Sequence, residues 1–144
     1  DRAAIGDVVR LDRKDVGRQA ADVRAADLVE AALEVDGERR YFLDFREEHV
    51  GNPLIRTFHG GILASFGEMV AALHLARERG DTELPECATL TFDYLRPAFA
   101  GTLMTTPNIV RAGRRTTTVS VQLRHDGKLV CIGRFLFPVG LQRP

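Results

Sequence analysis

Three things that the sequence lacks exclude broad classes of protein. Only two cysteines occur, Cys87 and Cys131, and their separation fits neither a disulfide framework nor the ligand spacing of a zinc site. The 20 basic and 20 acidic side chains cancel, so we expect no nucleic acid as a general partner. No stretch approaches the roughly 20 apolar residues of a membrane span, and the polar N-terminus does not resemble a signal peptide. We therefore expect a reduced, cytoplasmic chain that has no metal site and does not associate with a membrane.

The apolar pattern predicts an α+β domain in which one long helix lies between two groups of strands. Residues 28–35 and 39–45 have the composition of strands, and Asp36-Gly37 between them is typical of a hairpin turn. A helical pattern begins at Gly60 and continues to about Arg79. Four antiparallel strands are then predicted over residues 87–95, 102–111, 116–124 and 129–137.

The predicted element order is therefore β-β-α-β-β-β-β, which forms one domain over residues 25–144. A single apolar helix beside an antiparallel sheet is best covered when the sheet curls around it. Residues 1–24 are charged and rich in alanine, which predicts a weak amphipathic helix or a partly ordered arm. Pro107 cannot donate a hydrogen bond to a strand ladder, so we expect it at a bulge or an edge.

The stretch His59-Gly60-Gly61 begins the predicted helix and is the first candidate for a functional site. Two adjacent glycines let the backbone turn sharply and allow another group to approach closely. The first N–H groups of a helix have no partner within it and carry the positive end of its dipole. We therefore expect this turn to hold a partly negative group, such as a thioester or ester carbonyl oxygen.

Glu68 is the only formally charged side chain between Gly60 and Ala76. A carboxylate among small apolar residues would be poorly solvated, which suits a base or a nucleophile. An equally good interpretation is a partly exposed glutamate on the outer face of the helix. Glu68 lies eight residues beyond Gly60, or roughly 12 Å along the axis at about 1.5 Å per residue. If both groups serve one reacting carbonyl, they must come from different subunits.

Four features in this order resemble the PaaI-type acyl-CoA thioesterases, which have the hot-dog fold and belong to the 4-hydroxybenzoyl-CoA thioesterase-like superfamily. The resemblance covers roughly residues 28–138. The features are Asn52 ahead of His59-Gly60-Gly61, Glu68 nine positions after the histidine, Tyr94-Leu95-Arg96-Pro97-Ala98 at the end of a strand, and Arg111-Ala112-Gly113-Arg114-Arg115 between two strands. Arg56 stands where a glycine is common in the family.

The resemblance implies a homodimer in which the edges of the third strands meet and the two helices lie side by side. Two such dimers can pair into a homotetramer. In that family the active sites lie at the subunit interface. The Gly60 N–H would polarise the thioester carbonyl, and Glu68 of the neighbouring subunit would attack the carbonyl carbon or activate a water. No metal or redox cofactor is implied, because coenzyme A is part of the substrate.

The resemblance also implies roles for residues around this pair. Asn52 would lie near the thioester or the water, and His59 would orient the turn that contains Gly61. Cys87 falls where relatives often place a serine that helps to hold the acid or the water. Thr89, on the same strand face, is the alternative residue for that role. The other interpretation of Cys87 is that it simply packs within the strand. Arg111, Arg114 and Arg115 would lie beside the CoA nucleotide, although an arginine run in a hairpin is often just a solvated face.

The leading hypothesis is thus hydrolysis of an acyl-CoA thioester. A second hypothesis is a hot-dog protein that binds acyl-CoA without cleaving it, since one fold supports several functions. A hydratase or dehydratase of the same fold ranks last, because its histidine and acid are placed differently. The type of acyl chain is left open.

Overall fold

The computed structural model describes residues 8–9, 31–35 and 37–139 of the 144-residue chain. The predicted N-terminal helix or arm over residues 1–24 lies outside the described residues except at Val8–Val9, which form a short strand. In chain order the elements are β1 Val8–Val9, β2 Ala31–Val35, β3 Glu38–Asp44, a 3-10 turn Glu47–His49, β4 Val50–Asn52, β5 Thr57–Phe58, α1 Gly60–Arg79, β6 Thr89–Tyr94, β7 Thr102–Thr105, β8 Asn108–Ala112, β9 Thr116–His125 and β10 Lys128–Pro138.

The helix α1 is the centre of the domain, and its predicted bounds are confirmed. It begins at Gly60 and ends at Arg79, after which Gly80 takes a left-handed φ of 70°. Most of its surface is covered because the side chains that face the sheet are apolar. Its buried residues are Leu63, Phe66, Gly67, Met69, Val70, Ala71, Ala72, Leu73, Leu75 and Ala76. Within the described part of the chain, no helix is both long and apolar enough to cross a membrane.

An antiparallel sheet curls around this helix, as expected. Within the described residues its strands run in the order β1-β2-β3-β7-β9-β10-β6, and β8 pairs with β9. Tight turns fix the register of its hairpins. The β2–β3 hairpin pairs Val35 with Glu38, and at the β9–β10 turn Asp126 and Gly127 both have positive φ, as a type I′ turn requires.

Two details differ from the prediction. The single strand predicted over residues 102–111 is divided into β7 and β8, with Pro107 buried in the break between them. The proline has no N–H to continue the ladder, which explains the division. Gly51, Asn52 and Pro53 in the segment before the helix predict an irregular loop, but β4 and β5 pair within it. This small ribbon carries the chain to His59.

Candidate active site

The first turn of α1 leaves one backbone donor unused. His59 is the N-cap residue, and its Nδ1 accepts a hydrogen bond of 2.9 Å from the Gly61 N–H. The His59 carbonyl accepts bonds from the N–H groups of Ile62 and Leu63, at 3.0 and 3.2 Å. Of the four N–H groups that a helix start leaves without partners, only that of Gly60 has no acceptor among the residues that the structure describes. This is the donor that the sequence predicts for a carbonyl oxygen.

The turn is fastened to the rest of the domain through the backbone on its N-terminal side. The His59 N–H donates to the carbonyl of His49 at 2.7 Å, and the Phe58 N–H donates to that of Ala98 at 2.8 Å. The His49 ring is buried and stacks on Phe58, with centroids 5.9 Å apart. The backbone that leads into His59 is therefore bonded to the segments at His49 and Ala98. From this position the His59 ring orients the turn through its bond to the Gly61 N–H.

Tyr94, at the end of β6, contacts the same turn from the other side. Its hydroxyl donates a hydrogen bond of 2.7 Å to the Gly60 carbonyl. A Cβ atom on Gly60 would lie 3.3 to 3.4 Å from three atoms of the phenol, and one on Gly61 would lie 3.0 Å from the His59 Nδ1. A side chain at either position would therefore be tight, and the phenol beside Gly60 or the imidazole beside Gly61 would have to shift by a few tenths of an ångström.

Glu68 is partly buried and faces a groove of about 340 Å³. The other residues that line the groove come from the same helix and from the segment before β6: Ser65, Met69, Ala72, Leu84, Pro85, Glu86 and Cys87. The carboxylate is therefore neither fully desolvated nor free on an outer face. The sequence left open a poorly solvated carboxylate or a partly exposed one on the outer face of the helix, and the position of Glu68 in a mixed apolar and polar groove lies between these two interpretations.

Cys87 and Glu68 line the same groove. Burial, and then the charge of Glu68, raise the pKa of its thiol. The protonated thiol donates to the Thr89 carbonyl at 3.1 Å. A thiol with a raised pKa is a poor nucleophile, so Cys87 acts here as a neutral hydrogen-bonding wall of the groove. The Thr89 side chain is exposed on β6 and does not line the groove.

Asn52 and Arg56 belong to the ribbon that precedes the helix. The Asn52 Oδ1 accepts a bond of 3.0 Å from the Leu54 N–H, so this oxygen is already used in the local turn. Arg56 has a left-handed φ of 51°, a conformation that glycine would adopt without strain. It is held there by a two-pronged ion pair with Glu47 and by the ring of Phe45, 5.3 Å from its guanidinium carbon. The Glu47–Arg56 bond keeps the pKa of Glu47 below its usual value.

The three arginines predicted to lie beside the CoA nucleotide are exposed around the β8–β9 turn, and none is ion-paired to a residue that the structure describes. This turn borders an open groove of about 830 Å³, which Ala112 and Gly113 help to line. The groove shares Leu84, Pro85 and Glu86 with the groove at Glu68. The segment 84–86 is therefore a wall common to the groove at Glu68 and to the groove beside the turn of Arg111, Arg114 and Arg115.

Comparison with known proteins decides the family. A family model described as the acyl-CoA thioesterase N-terminal domain matches residues 50–137. The chain belongs to this thioesterase family. The matched residues contain the whole of α1 and all of the candidate site residues. No significant match is found among curated proteins.

Solved structures confirm that this thioesterase domain has the hot-dog fold of the PaaI type. A putative thioesterase related to phenylacetic acid degradation from Ralstonia eutropha is 26% identical, with a TM-score of 0.71 over 85% of this chain and 92% of that one. A variant of the phenylacetic acid degradation protein PaaI from Thermus thermophilus is 28% identical, with a TM-score of 0.67 over 81% and 98%. Mouse thioesterase superfamily member 2 is 25% identical, with a TM-score of 0.67 over 83% and 88%.

Within one thioesterase chain, the predicted site residues form two separate groups. His59, Gly60 and Gly61 lie at the start of α1, and Glu68 lies with Cys87 two turns further along. The eight residues from Gly60 to Glu68 correspond to about 12 Å of helix. One chain therefore does not bring the donor and the carboxylate to one small substrate. No group of three or more potential metal ligands occurs in the described part of the chain.

Sequence reasoning missed the part that Tyr94 plays at this site. The residue belongs to a motif that carries the family resemblance, but nothing in the alternation of β6 assigns a role to its hydroxyl. An exposed tyrosine near a strand end, in a chain with only two tyrosines, was the available signal. Only the tertiary contact with Gly60 reveals what it does.

Proposed function

We propose that the protein hydrolyses acyl-CoA thioesters as a homodimer. The observation that carries this proposal is the Gly60 N–H, which lies at the positive end of a 20-residue helix and has no acceptor among the described residues. A carbonyl oxygen placed against this N–H gains negative charge when the carbonyl carbon is attacked, and the donor then stabilises it. One such donor typically lowers the barrier by about 3 kcal/mol.

Glu68 of the partner subunit completes the site in this proposal. The helical distance between Gly60 and Glu68 requires two chains, and the position of β6 supports a particular pairing. β6 lies at the end of the described sheet and leaves Leu90 and Tyr94 43% and 54% exposed. An unpaired strand edge with apolar side chains is suited to pairing with a second copy of itself. Pairing the β6 edges would set two α1 helices side by side.

Two chemical routes fit a carboxylate in this place. In one, Glu68 takes a proton from water, the hydroxide attacks the carbonyl carbon, and the oxyanion forms at the Gly60 N–H. The C–S bond then breaks, and the sulfur takes its proton from Glu68 to give the free acid and CoA. In the other, the carboxylate itself attacks the carbonyl carbon, the C–S bond breaks so that CoA leaves as a thiolate and takes a proton from solvent, and water then hydrolyses the anhydride to the free acid and Glu68. Neither route uses the Cys87 thiol as a nucleophile.

The open groove beside the β8–β9 turn is proposed to receive the nucleotide end of CoA. Arg114 and Arg115 are exposed on the turn that borders this groove but do not line it, and guanidinium groups pair well with phosphates. Arg111 lies on the same hairpin but before the turn. The two grooves have residues 84–86 as a common wall, so an extended ligand that crosses this wall would occupy both.

The test is release of free thiol from a panel of aromatic, short-chain and medium-chain acyl-CoA thioesters. Glu68→Gln should lower kcat about 100- to 10,000-fold, the usual contribution of a general base. Glu78→Gln is the matched control, because Glu78 is an exposed glutamate on the same helix outside the site. Light scattering checks that both variants remain dimers. Equal rates for Glu68→Gln and the parent would contradict the proposal.

A second candidate is binding of acyl-CoA without cleavage. The observation that favours it is the Asn52 Oδ1, which accepts the Leu54 N–H; this bond turns the side chain into its own loop and leaves one lone pair of the oxygen for a water. Saturable binding of acyl-CoA by calorimetry, with no thiol release during long incubation, would support this candidate over hydrolysis.

A further inference from the structure

The start of α1 has an intrinsic weakness that the rest of the structure must compensate. Its first two residues are Gly60 and Gly61, which form helix poorly because glycine loses the most backbone freedom on folding. Neither has a side chain to anchor it, and the Gly60 N–H has no acceptor among the described residues. A helix end of this kind frays easily. A frayed turn would not hold its N–H in one direction.

Two side chains hold this turn from opposite sides. His59 binds the N–H of Gly61 at 2.9 Å, and Tyr94 binds the carbonyl of Gly60 at 2.7 Å. In an α-helix the Gly60 carbonyl also accepts the N–H of Ala64, so the phenol uses its second lone pair. The bonds from His59 and Tyr94 fix both sides of a single peptide group, the one that joins Gly60 to Gly61.

Tyr94 is itself held in place by the sheet. It pairs with Cys131 of β10, and the N–H of the next residue, Leu95, donates to the Val130 carbonyl at 2.9 Å. Its ring packs edge-on against Phe92, with centroids 5.0 Å apart. The phenol therefore reaches Gly60 from a rigid strand rather than from a loop.

We propose that Tyr94 is a positioning residue of the oxyanion site, which holds the Gly60–Gly61 peptide so that the Gly60 N–H keeps one orientation. The proposal rests on the proposed function, because it assigns the Gly60 N–H to the reacting carbonyl. Tyr94 acts through the backbone and does not touch the reacting atoms. Loss of its hydroxyl should therefore weaken stabilisation of the transition state and leave binding of the substrate unchanged.

The test compares Tyr94→Phe with Tyr41→Phe. The first substitution removes only the hydroxyl that binds Gly60. The second removes the hydroxyl of the other tyrosine, which is buried in the core and packs against His74 in the C-terminal half of α1, so it controls for the loss of a phenol away from the first turn. Tyr94→Phe should lower kcat roughly 3- to 10-fold, as expected for one neutral hydrogen bond, with KM unchanged. Tyr41→Phe should change neither constant.

Amide hydrogen exchange, followed residue by residue with NMR, gives a second measurement that needs no turnover. In Tyr94→Phe the amides of Gly61 and Ala64 should exchange severalfold faster, while amides in the middle of α1 keep the parent rate. If the parent hydrolyses no acyl-CoA, the proposed function fails, and this exchange still decides whether Tyr94 holds the turn. Unchanged exchange, or a raised KM with kcat unchanged, would overturn the inference.

Discussion

The two ends of α1 solve the same physical problem in different ways. At the C-terminal end, Gly80 takes a left-handed φ, its N–H donates to the Arg77 carbonyl, and the Asp81 N–H donates to that of Ala76 at 2.8 Å. These are the two bonds of a Schellman motif, and they satisfy the last carbonyls of the helix. At the N-terminal end, the cap leaves one N–H without an acceptor among the described residues. One end is closed for stability, and the other is left open at a single atom.

The charged side chains also favour the C-terminal end of α1 and not the N-terminal end. Arg77 and Arg79 lie in the last turn, where cations interact favourably with the helix dipole, and no acidic residue lies in the first turn. A carboxylate in the first turn would stabilise the helix but would also repel a developing oxyanion. The first turn therefore gives up a small electrostatic gain. We therefore expect substitution of Gly60 to change mainly the rate of catalysis and substitution of Gly80 to change mainly the stability of the fold.

The largest effect is expected from Gly60→Pro. Proline is tolerated at the first position of a helix and removes the N–H without removing the turn, and His59 already has the extended ψ of 136° that a residue before proline requires. We expect kcat for thioester hydrolysis to fall about 100- to 1,000-fold, the usual cost of one oxyanion donor.

Gly60→Ala is the control for this substitution. Alanine adds the same Cβ beside Tyr94 but keeps the N–H, so it should lose much less activity than proline. Alanine is also the better helix former, by about 1 kcal/mol in a helix interior, so thermal unfolding should not reveal a weaker fold. Equal losses for the two variants would show that crowding against Tyr94, and not the N–H, controls the rate.

The next effect concerns Tyr41, which packs edge-on against His74 in the C-terminal half of α1, with ring centroids 6.3 Å apart. Burial raises the pKa of Tyr41 to about 12 from an ordinary value of 10.0. Below pH 10 the phenol is protonated in both the folded and the unfolded chain. As pH rises from about 10 to 12, only the unfolded chain loses this proton, so folding loses up to about 2 to 3 kcal/mol.

Urea unfolding of the parent and of Tyr41→Phe at a series of pH values checks this expectation. The free energy of unfolding of the two proteins should differ by a constant amount up to about pH 10 and then diverge in favour of the variant. Cys131, whose pKa burial also raises to about 12, weakens both proteins equally. A constant difference up to pH 12 would mean that the Tyr41 phenol ionises freely in the folded protein.

The elements that sequence reasoning predicted well are those whose signals are local. The bounds of α1 follow from Gly60, Gly80 and the apolar run between them, and the Asp36-Gly37 pair predicted the β2–β3 hairpin. The interruption at Pro107 could be expected from its missing N–H, but whether it makes a bulge or divides the strand depends on the neighbouring β9. Local sequence signals thus predicted which helices and strands form, and tertiary contacts determined where a strand is interrupted.

The candidate site was predictable only where one residue carries the signal. The glycine pair, His59 and Glu68 were proposed in this way, and their roles stay predictions. The left-handed backbone of Arg56 was not, because the ion pair with Glu47 and the ring of Phe45 that hold it lie about ten residues away in the chain. The bond between Tyr94 and Gly60 spans 34 residues, and no spacing in the sequence indicates it.

The smallest expected effect is at the closed end of the helix. Gly80 has a φ of 70°, and a Cβ there would meet nothing within 4 Å, so Gly80→Ala carries only the backbone cost of the left-handed region, about 1 kcal/mol of unfolding free energy. Urea unfolding measures this loss, and thiol release per folded molecule should equal that of the parent. Gly80→Asn is the matched control, because asparagine tolerates this conformation better than alanine does. If Gly80→Ala instead lowered kcat as Gly60→Pro does, the two ends would be coupled through the helix, and the separation of stability from catalysis along α1 would be wrong.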